Sequence, residues 1–248
     1  MPLGAFRLNS LAKAAAGGAA PPDPVRTQIT VTAYGDAQVD TAQSKFGGAS
    51  LLLDGNDWLT TSNIYTSNSE FTIEGWIRFT DLSTYATARL YQGSTGVSNA
   101  RHLVYITTPA HPTVPDRVYV ALGTGGSYSF LFFDYSGTGF STNTWYHIAA
   151  TRDSSNNVRV FINGSQVGSA QTNTKAMFST GTTTKIGYSD DNSHGIVGNV
   201  DEIRVSDTAR YTSGFTPSTS AFTNDGDTLL LVHCDGTDGS TDFEDDAY

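Results

Sequence analysis

The sequence has little cysteine, little positive charge and no long apolar run, and each shortage excludes a class of protein. Its 248 residues include one cysteine, Cys234, so no disulfide can form within the chain. Lys and Arg number 14 against 24 Asp and Glu, and the resulting formal charge of −10 argues against nucleic-acid binding. No apolar run approaches the roughly 20 residues that cross a bilayer, so we expect no membrane insertion.

Carboxylate pairs with catalytic spacing are also missing. Glycoside hydrolases need two carboxyl groups that flank one glycosidic bond. Glu70 and Glu74 lie four residues apart, and the adjacent Asp201 and Glu202 would point to opposite faces of a regular strand. The five histidines, which lack metal-ligand spacing, are His102, His111, His147, His194 and His233. We therefore predict that the protein is not an enzyme.

The chain is rich instead in short alternating segments that predict strands. Residues 145–152 are rich in aromatic and β-branched residues, residues 158–162 alternate, and Asn163-Gly164 is a typical hairpin-turn dipeptide. A helical turn is predicted at residues 207–211. Further strands are predicted at residues 27–32, 49–53, 71–80, 90–91, 102–106, 117–122, 128–133, 182–188, 196–205 and 228–234.

Two of these segments carry a family resemblance. W-Y-H-I-A-A-T-R-D at 145–153 and V-R-V-F-I-N-G-S-Q-V at 158–167 resemble the core hairpin of laminin G-like domains, which have the concanavalin A-like lectin and glucanase fold. The resemblance implies an all-β chain, with an antiparallel β-sandwich of jelly-roll type over residues 27–248 and an extended N-terminal arm over residues 1–26. Function is a separate question, because this sandwich serves lectins, hydrolases and structural modules.

The arm differs in composition from the rest of the chain and predicts an anchor. A few apolar residues precede an Ala/Gly-rich stretch and a Pro-rich linker. Either the arm folds back onto its own domain, or it lies against other subunits of a large assembly. The candidate assembly anchors are Phe6, Arg7, Leu8 and Leu11.

Three segments extend the resemblance to tailed-phage virion proteins: MPLGAFRLNSLAKAAA, QVDTAQSKFGGASLLLDG and LLLVHCDGTDGSTDFED. The similarity implies a non-catalytic capsid decoration or tail/fibre component on the surface of the phage particle. Its partners would be other virion proteins, and the chain would form a homo-oligomer. In tandem modules of this kind the third segment runs into the second, so here the last strand either returns beside residues 27–32 or completes a neighbour's sheet.

The resemblance also implies two kinds of ligand. Loops rich in Asp and Asn resemble places where laminin G-like domains hold calcium, although such residues are equally ordinary in turns. The candidate calcium ligands are Asp54, Asp57, Asp190, Asp191, Asn192 and Asp201. Host-surface glycans would stack on exposed aromatic rings, for which the candidates are Trp76, Tyr105 and Tyr119. The alternative function is a free-standing calcium-dependent lectin.

Overall fold

The computed structural model describes residues 28–62, 64, 70–84, 87–94, 101–124, 127–137, 139–175, 183–188 and 195–247. The arm, with Phe6, Arg7, Leu8 and Leu11, lies outside these residues, as do Asp190, Asp191 and Asn192. The described part of the chain contains strands and no helix, and hence no helix that could span a membrane.

The strands follow the chain in fifteen short segments. They are β1 (Val31–Tyr34), β2 (Gln38–Asp40), β3 (Ser50–Asp54), β4 (Trp58–Thr61), β5 (Phe71–Phe79), β6 (Thr87–Ser94), β7 (Arg101–Thr107), β8 (Arg117–Thr124), β9 (Ser127–Asp134), β10 (Trp145–Arg152), β11 (Asn157–Ile162), β12 (Ser165–Thr172), β13 (Thr184–Ile186), β14 (Val197–Ser206) and β15 (Thr228–Val232).

Two antiparallel sheets form a sandwich, as the resemblance predicted. One sheet has seven strands in the order β1-β4-β13-β6-β7-β8-β9. The other has eight strands. Seven follow the order β12-β11-β10-β5-β14-β3-β2, and the eighth, β15, pairs with β14. Alternate residues of each strand meet between the sheets; in β11, for example, Val158, Val160 and Ile162 enter the core.

Residues on either side of β15, 207–227 and 233–247, cover the outer face of the eight-stranded sheet, and we call them together the covering segment. Tyr211 and Phe215 stack with ring centroids 3.6 Å apart and pack against Phe161 of β11. The Phe215 amide donates to the Gly164 carbonyl at 2.9 Å. A Cβ at Gly164 would lie 1.9 Å from the Phe215 carbonyl oxygen, so only glycine allows this close approach.

The helical turn predicted at residues 207–211 is wrong, because this backbone bonds to strand side chains instead of to itself. Thr72 Oγ1 donates to the Thr208 carbonyl at 2.7 Å and accepts from the Arg210 amide at 2.9 Å. Thr151 Oγ1 donates to the Tyr211 carbonyl at 2.9 Å. These hydrogen bonds hold the segment against the sheet in a non-helical conformation.

The two ends of the described chain meet within one chain. The last strand, β15, pairs with β14 rather than with the first strand, which begins at Val31 and not at residue 27. Residues after β15 then reach the N-terminal side: the Val39 amide donates to the Ser240 carbonyl at 2.8 Å, and the Ile29 amide donates to Asp245 Oδ2 at 3.1 Å. The predicted return of the last strand beside residues 27–32 is therefore wrong, since only the residues after β15 reach this region, and completion of a neighbour's sheet stays a prediction.

Candidate functional site

The large apolar side chains that remain exposed in the described residues share one surface. Tyr34, Phe130 and Phe132 are 47%, 41% and 49% exposed. All three lie at outward positions of the seven-stranded sheet, because their strand neighbours Ala33, Leu131 and Phe133 pack on the core. The outer face is open around these three side chains, although Leu103 and Ala121 at other outward positions are buried, and its open part is the candidate ligand surface.

Four rings on β7, β8 and β9 form what we call the aromatic platform: Tyr105, Tyr119, Phe130 and Phe132. Register brings them together, since Tyr105 pairs with Tyr119 and Tyr119 pairs with Phe132. The two tyrosine rings are parallel, with an interplanar angle of 2° and centroids 4.6 Å apart. Phe130 stands edge-on to both, and Phe132 lies 6.2 Å from Tyr119.

The predicted glycan residues Tyr105 and Tyr119 thus lie side by side on the platform, and both are half-buried. Phe130 and Phe132 were not predicted as glycan-binding residues from the sequence. Their signal is the alternation of S-F-L-F-F-D at 129–134, which places 130 and 132 on one face and 131 and 133 on the other. The exposed pair is identified only once the core side of β9 is known.

A guanidinium lies at the edge of the platform. The Arg117 guanidinium carbon is 4.6 Å from the centroid of the Phe132 ring. Its Nη1 donates to Tyr119 Oη at 3.4 Å. Arg89 lies similarly over Tyr105, with 4.6 Å between guanidinium carbon and centroid, but it is 6% exposed. Cationic groups therefore flank rings on two sides of the platform.

A second group of rings lies at the opposite edge of the same face. Trp58 is stacked between Tyr34 and Tyr188, with centroids 5.4 Å and 5.2 Å away. Lys185 Nζ lies 4.4 Å from the Trp58 centroid. The strand order places β13 and β6 between this group and the platform, so the two are separate surfaces of one sheet.

The third predicted glycan residue, Trp76, is not exposed. It does point to the outer side of the eight-stranded sheet, but the covering segment leaves it 5% exposed, among Phe222, Leu231 and Ala247. Lys45 Nζ lies 4.0 Å from its ring centroid. Trp76 is therefore unavailable for stacking against a ligand.

Beside Trp76, the carboxylate of Glu74 is the centre of a buried ionic cluster. Arg204 Nη2 lies 2.7 Å from Oε1, while His147 Nε2 and Tyr211 Oη lie 3.1 Å and 2.9 Å from Oε2. Burial opposes ionisation of Glu74, yet the hydrogen bond from His147 and the charge of Arg204 hold its pKa below the usual range. Both oxygens are occupied by protein groups and the residue is fully buried, so its role is structural.

Asp201 and Glu202 do not point to opposite faces, because β14 bulges between residues 201 and 204. Glu202 has a φ of 54°. Its Oε2 accepts from the Phe222 amide at 2.5 Å, and Asp201 Oδ2 accepts from the Lys45 and Phe46 amides at 2.7 Å and 3.1 Å. Burial, with smaller contributions from Glu202 and Asp235, raises the pKa of Asp201 to about 7.

The described calcium candidates lie in two places. Asp54 and Asp57 share a turn in which the Asp54 amide donates to Asp57 Oδ1 at 2.8 Å, and burial raises the pKa of Asp57 to about 6. Asp54 pairs with Val197, so Asp201 lies four residues further along β14, about 13 Å away. In the described part of the chain, no three His, Cys, Asp or Glu side chains converge where they could hold a metal. A calcium site that uses residues 190–192 remains a prediction.

Two packed sheets, one with a covered and one with an open outer face, define a lectin-like β-sandwich. The family model of the concanavalin A-like lectin/glucanases superfamily, in its laminin G-like form, matches residues 53–213. The chain therefore belongs to this superfamily. A search of curated protein sequences finds no match.

Solved structures share the fold at low sequence identity. Domain 4 of an extracellular arabinanase from Geobacillus stearothermophilus, in complex with arabinotriose, is 18% identical with a TM-score of 0.52, over 73% of this chain and 82% of that one. A putative carbohydrate binding protein from Bacteroides ovatus is 16% identical with a TM-score of 0.51, over 89% and 58%. The receptor binding domain of botulinum neurotoxin D is 16% identical with a TM-score of 0.53, over 74% and 45%. The chain thus spans about half of the last two.

Proposed function

We propose that the protein is a carbohydrate-binding module that takes glycans on the aromatic platform. The observation that supports this proposal is the open face of the seven-stranded sheet, where Phe130 and Phe132 remain 41% and 49% exposed beside the stacked Tyr105 and Tyr119. Sugar rings have apolar faces that pack on aromatic rings, while their hydroxyl groups need polar partners at the rim. One similar structure is a complex with arabinotriose and another is that of a putative carbohydrate binding protein, which agrees with this proposal.

Binding without hydrolysis fits the platform best. A glycosidase needs two carboxyl groups at the bound sugar. At the described outward positions of β7, β8 and β9, the one carboxylate is Asp134. Glu74, which lies on the other sheet, is closed off by its own partners. The function we propose is therefore recognition, with no bond broken.

Replacing Tyr119 by alanine is expected to weaken glycan binding by about tenfold to a hundredfold, because the central ring of the platform is lost. The measurement is a glycan array followed by calorimetric titration of the best ligand, once in the presence of calcium and once in EDTA. If the calcium prediction holds, the unaltered chain also loses glycan binding in EDTA.

Tyr34→Ala is the control, since Tyr34 is also a tyrosine at an outward position of the same face, at the far edge of the sheet. Its binding should equal that of the unaltered chain. Equal affinity of Tyr119→Ala and the unaltered chain would rule out the platform as the site.

The setting that we propose for this module is the surface of a phage particle, with residues 1–26 as the anchor to other virion proteins. The support is the resemblance of the sequence segments to tailed-phage virion proteins. Deleting residues 1–24 keeps every described strand, the first of which begins at Val31, so the sandwich is expected to melt at an unchanged temperature. Incorporation into particles should fall to background; normal incorporation of the shortened chain would refute the anchoring role.

A further inference from the structure

The face that carries the platform has the opposite charge to the chain as a whole. The formal net charge of the protein is −10. At outward positions of the seven-stranded sheet whose side chains are described, the cationic residues are Arg89, Arg117 and Lys185, and the acidic residue is Asp134. Among these described side chains the charge is net positive, the reverse of the chain as a whole, and such a local charge attracts anionic ligands.

Arg117 is the cation on this face with donors left for a ligand. The guanidinium is half-buried against Phe132, and its one hydrogen bond within the described residues is the 3.4 Å contact to Tyr119. No carboxylate of the described residues lies within 4.0 Å of it. Asp134 is its cross-strand neighbour, but Asp134 Oδ1 accepts from the Ser136 amide at 2.8 Å. The ring holds the guanidinium plane in place, and the remaining N–H groups are unused.

We infer that the glycan bound by the platform is acidic, with a sugar carboxylate on Arg117 while the sugar ring stacks on Tyr119 and Phe132. This inference rests on the proposed function and specifies its ligand class. A planar guanidinium offers a pair of parallel donors that match the two oxygens of a carboxylate, and single hydroxyl groups do not match this geometry. Asp134 acts on the guanidinium through space but forms no ion pair with it, so the half-buried Arg117 still gains more from a carboxylate at hydrogen-bond distance than an exposed lysine would.

The test compares oligomers of sugar acids with their own methyl esters. For each sugar unit, the two forms differ only in one charge and one methyl group. The probes are oligogalacturonates and oligomannuronates of defined length, each presented on an array beside its fully esterified form and then titrated. The acid is expected to bind about tenfold more tightly than its ester, or better, because hydrogen bonds to charged groups are the stronger ones. In Arg117→Met, which keeps the apolar contact with Phe132, the ratio of the two affinities should fall to near one.

Arg159→Met is the charge-matched control. Arg159 pairs with Asp153 on β11 of the other sheet, so its removal changes the net charge equally and should leave the ratio unchanged. If the unaltered chain bound acid and ester equally, and Tyr119→Ala weakened the binding of both, the inference would be overturned and the proposed function would stand. Binding of neither probe, and of no neutral glycan on the array, would overturn both. A ratio that falls as much in Arg159→Met as in Arg117→Met would assign the preference to net charge and overturn the role of Arg117.

Discussion

Replacing Glu74 by glutamine is expected to lower the free energy of unfolding by about 3–5 kcal/mol, because it leaves the charge of Arg204 buried without compensation. Glu74 is fully buried, and the Arg204 side chain is 8% exposed at 2.7 Å from it. Glutamine has nearly the same size, so a cavity contributes little. Urea unfolding at neutral pH, followed by tryptophan fluorescence, measures the change.

Asp225→Asn is the control for this prediction. Asp225 also binds an arginine of the covering segment, with Arg210 Nη2 2.7 Å away, but its side chain is 46% exposed. Because solvent reaches the carboxylate of Asp225, and Arg210 keeps Glu74 at 3.9 Å, this variant is expected to cost about 1 kcal/mol or less. Equal losses in the two variants would mean that burial of the Glu74 cluster does not decide its contribution to stability.

Replacing Asp201 by asparagine is expected to stabilise the protein above pH 7. The folded-state pKa of Asp201 is about 7 and the ordinary value is 3.8, so the folded chain binds this proton more tightly than the unfolded chain does. Stability is therefore lost as the pH rises from about 4 to 7. Asparagine can still accept from the Lys45 and Phe46 amides and carries no charge, and at about 1.4 kcal/mol per pKa unit the gain at pH 8 is up to about 4 kcal/mol.

The measurement is the free energy of unfolding at pH 4.5 and pH 8 for both chains. Near pH 4.5 the two should differ little, because Asp201 is already protonated in the folded state. Asp242→Asn, a change at an exposed carboxylate of the covering segment, should show no such pH dependence. Destabilisation by Asp201→Asn at both pH values would mean that the ionised carboxylate holds the 45–46 loop and that its burial is not costly.

Much of the fold could be predicted from alternation, since strands such as β5 and β11 place one set of side chains in a common core. The short strands β2 and β4 were missed, because three or four residues are too few to establish a period. The turn at 207–211 was predicted wrongly for a related reason. Its backbone partners are threonines 136 and 60 positions away in the chain, at Thr72 and Thr151, and local propensity carries no information about them.

The site was only partly predictable for the same physical reason. Alternation correctly placed Trp76 on the outer side of its strand, but the residues that cover it, such as Phe222 and Leu231, come about 150 positions later. Tyr105 and Tyr119 were found as aromatic residues on alternating strands, whereas their stacking depends on the register between β7 and β8. Register between strands is set by the whole sheet and cannot be read from either strand alone.

The meeting of the two chain ends has a consequence for association. The family match covers residues 53–213, and the hydrogen bonds between β2 and residues 238–240 join stretches that lie outside it on both sides. These bonds lie along β2, which is the last strand in the order of the eight-stranded sheet, so residues 238–240 cover its outer edge. If these bonds opened, the backbone N–H and C=O groups of β2 would be offered to strands of other copies of the chain, so contacts that complete the sandwich also protect it from aggregation.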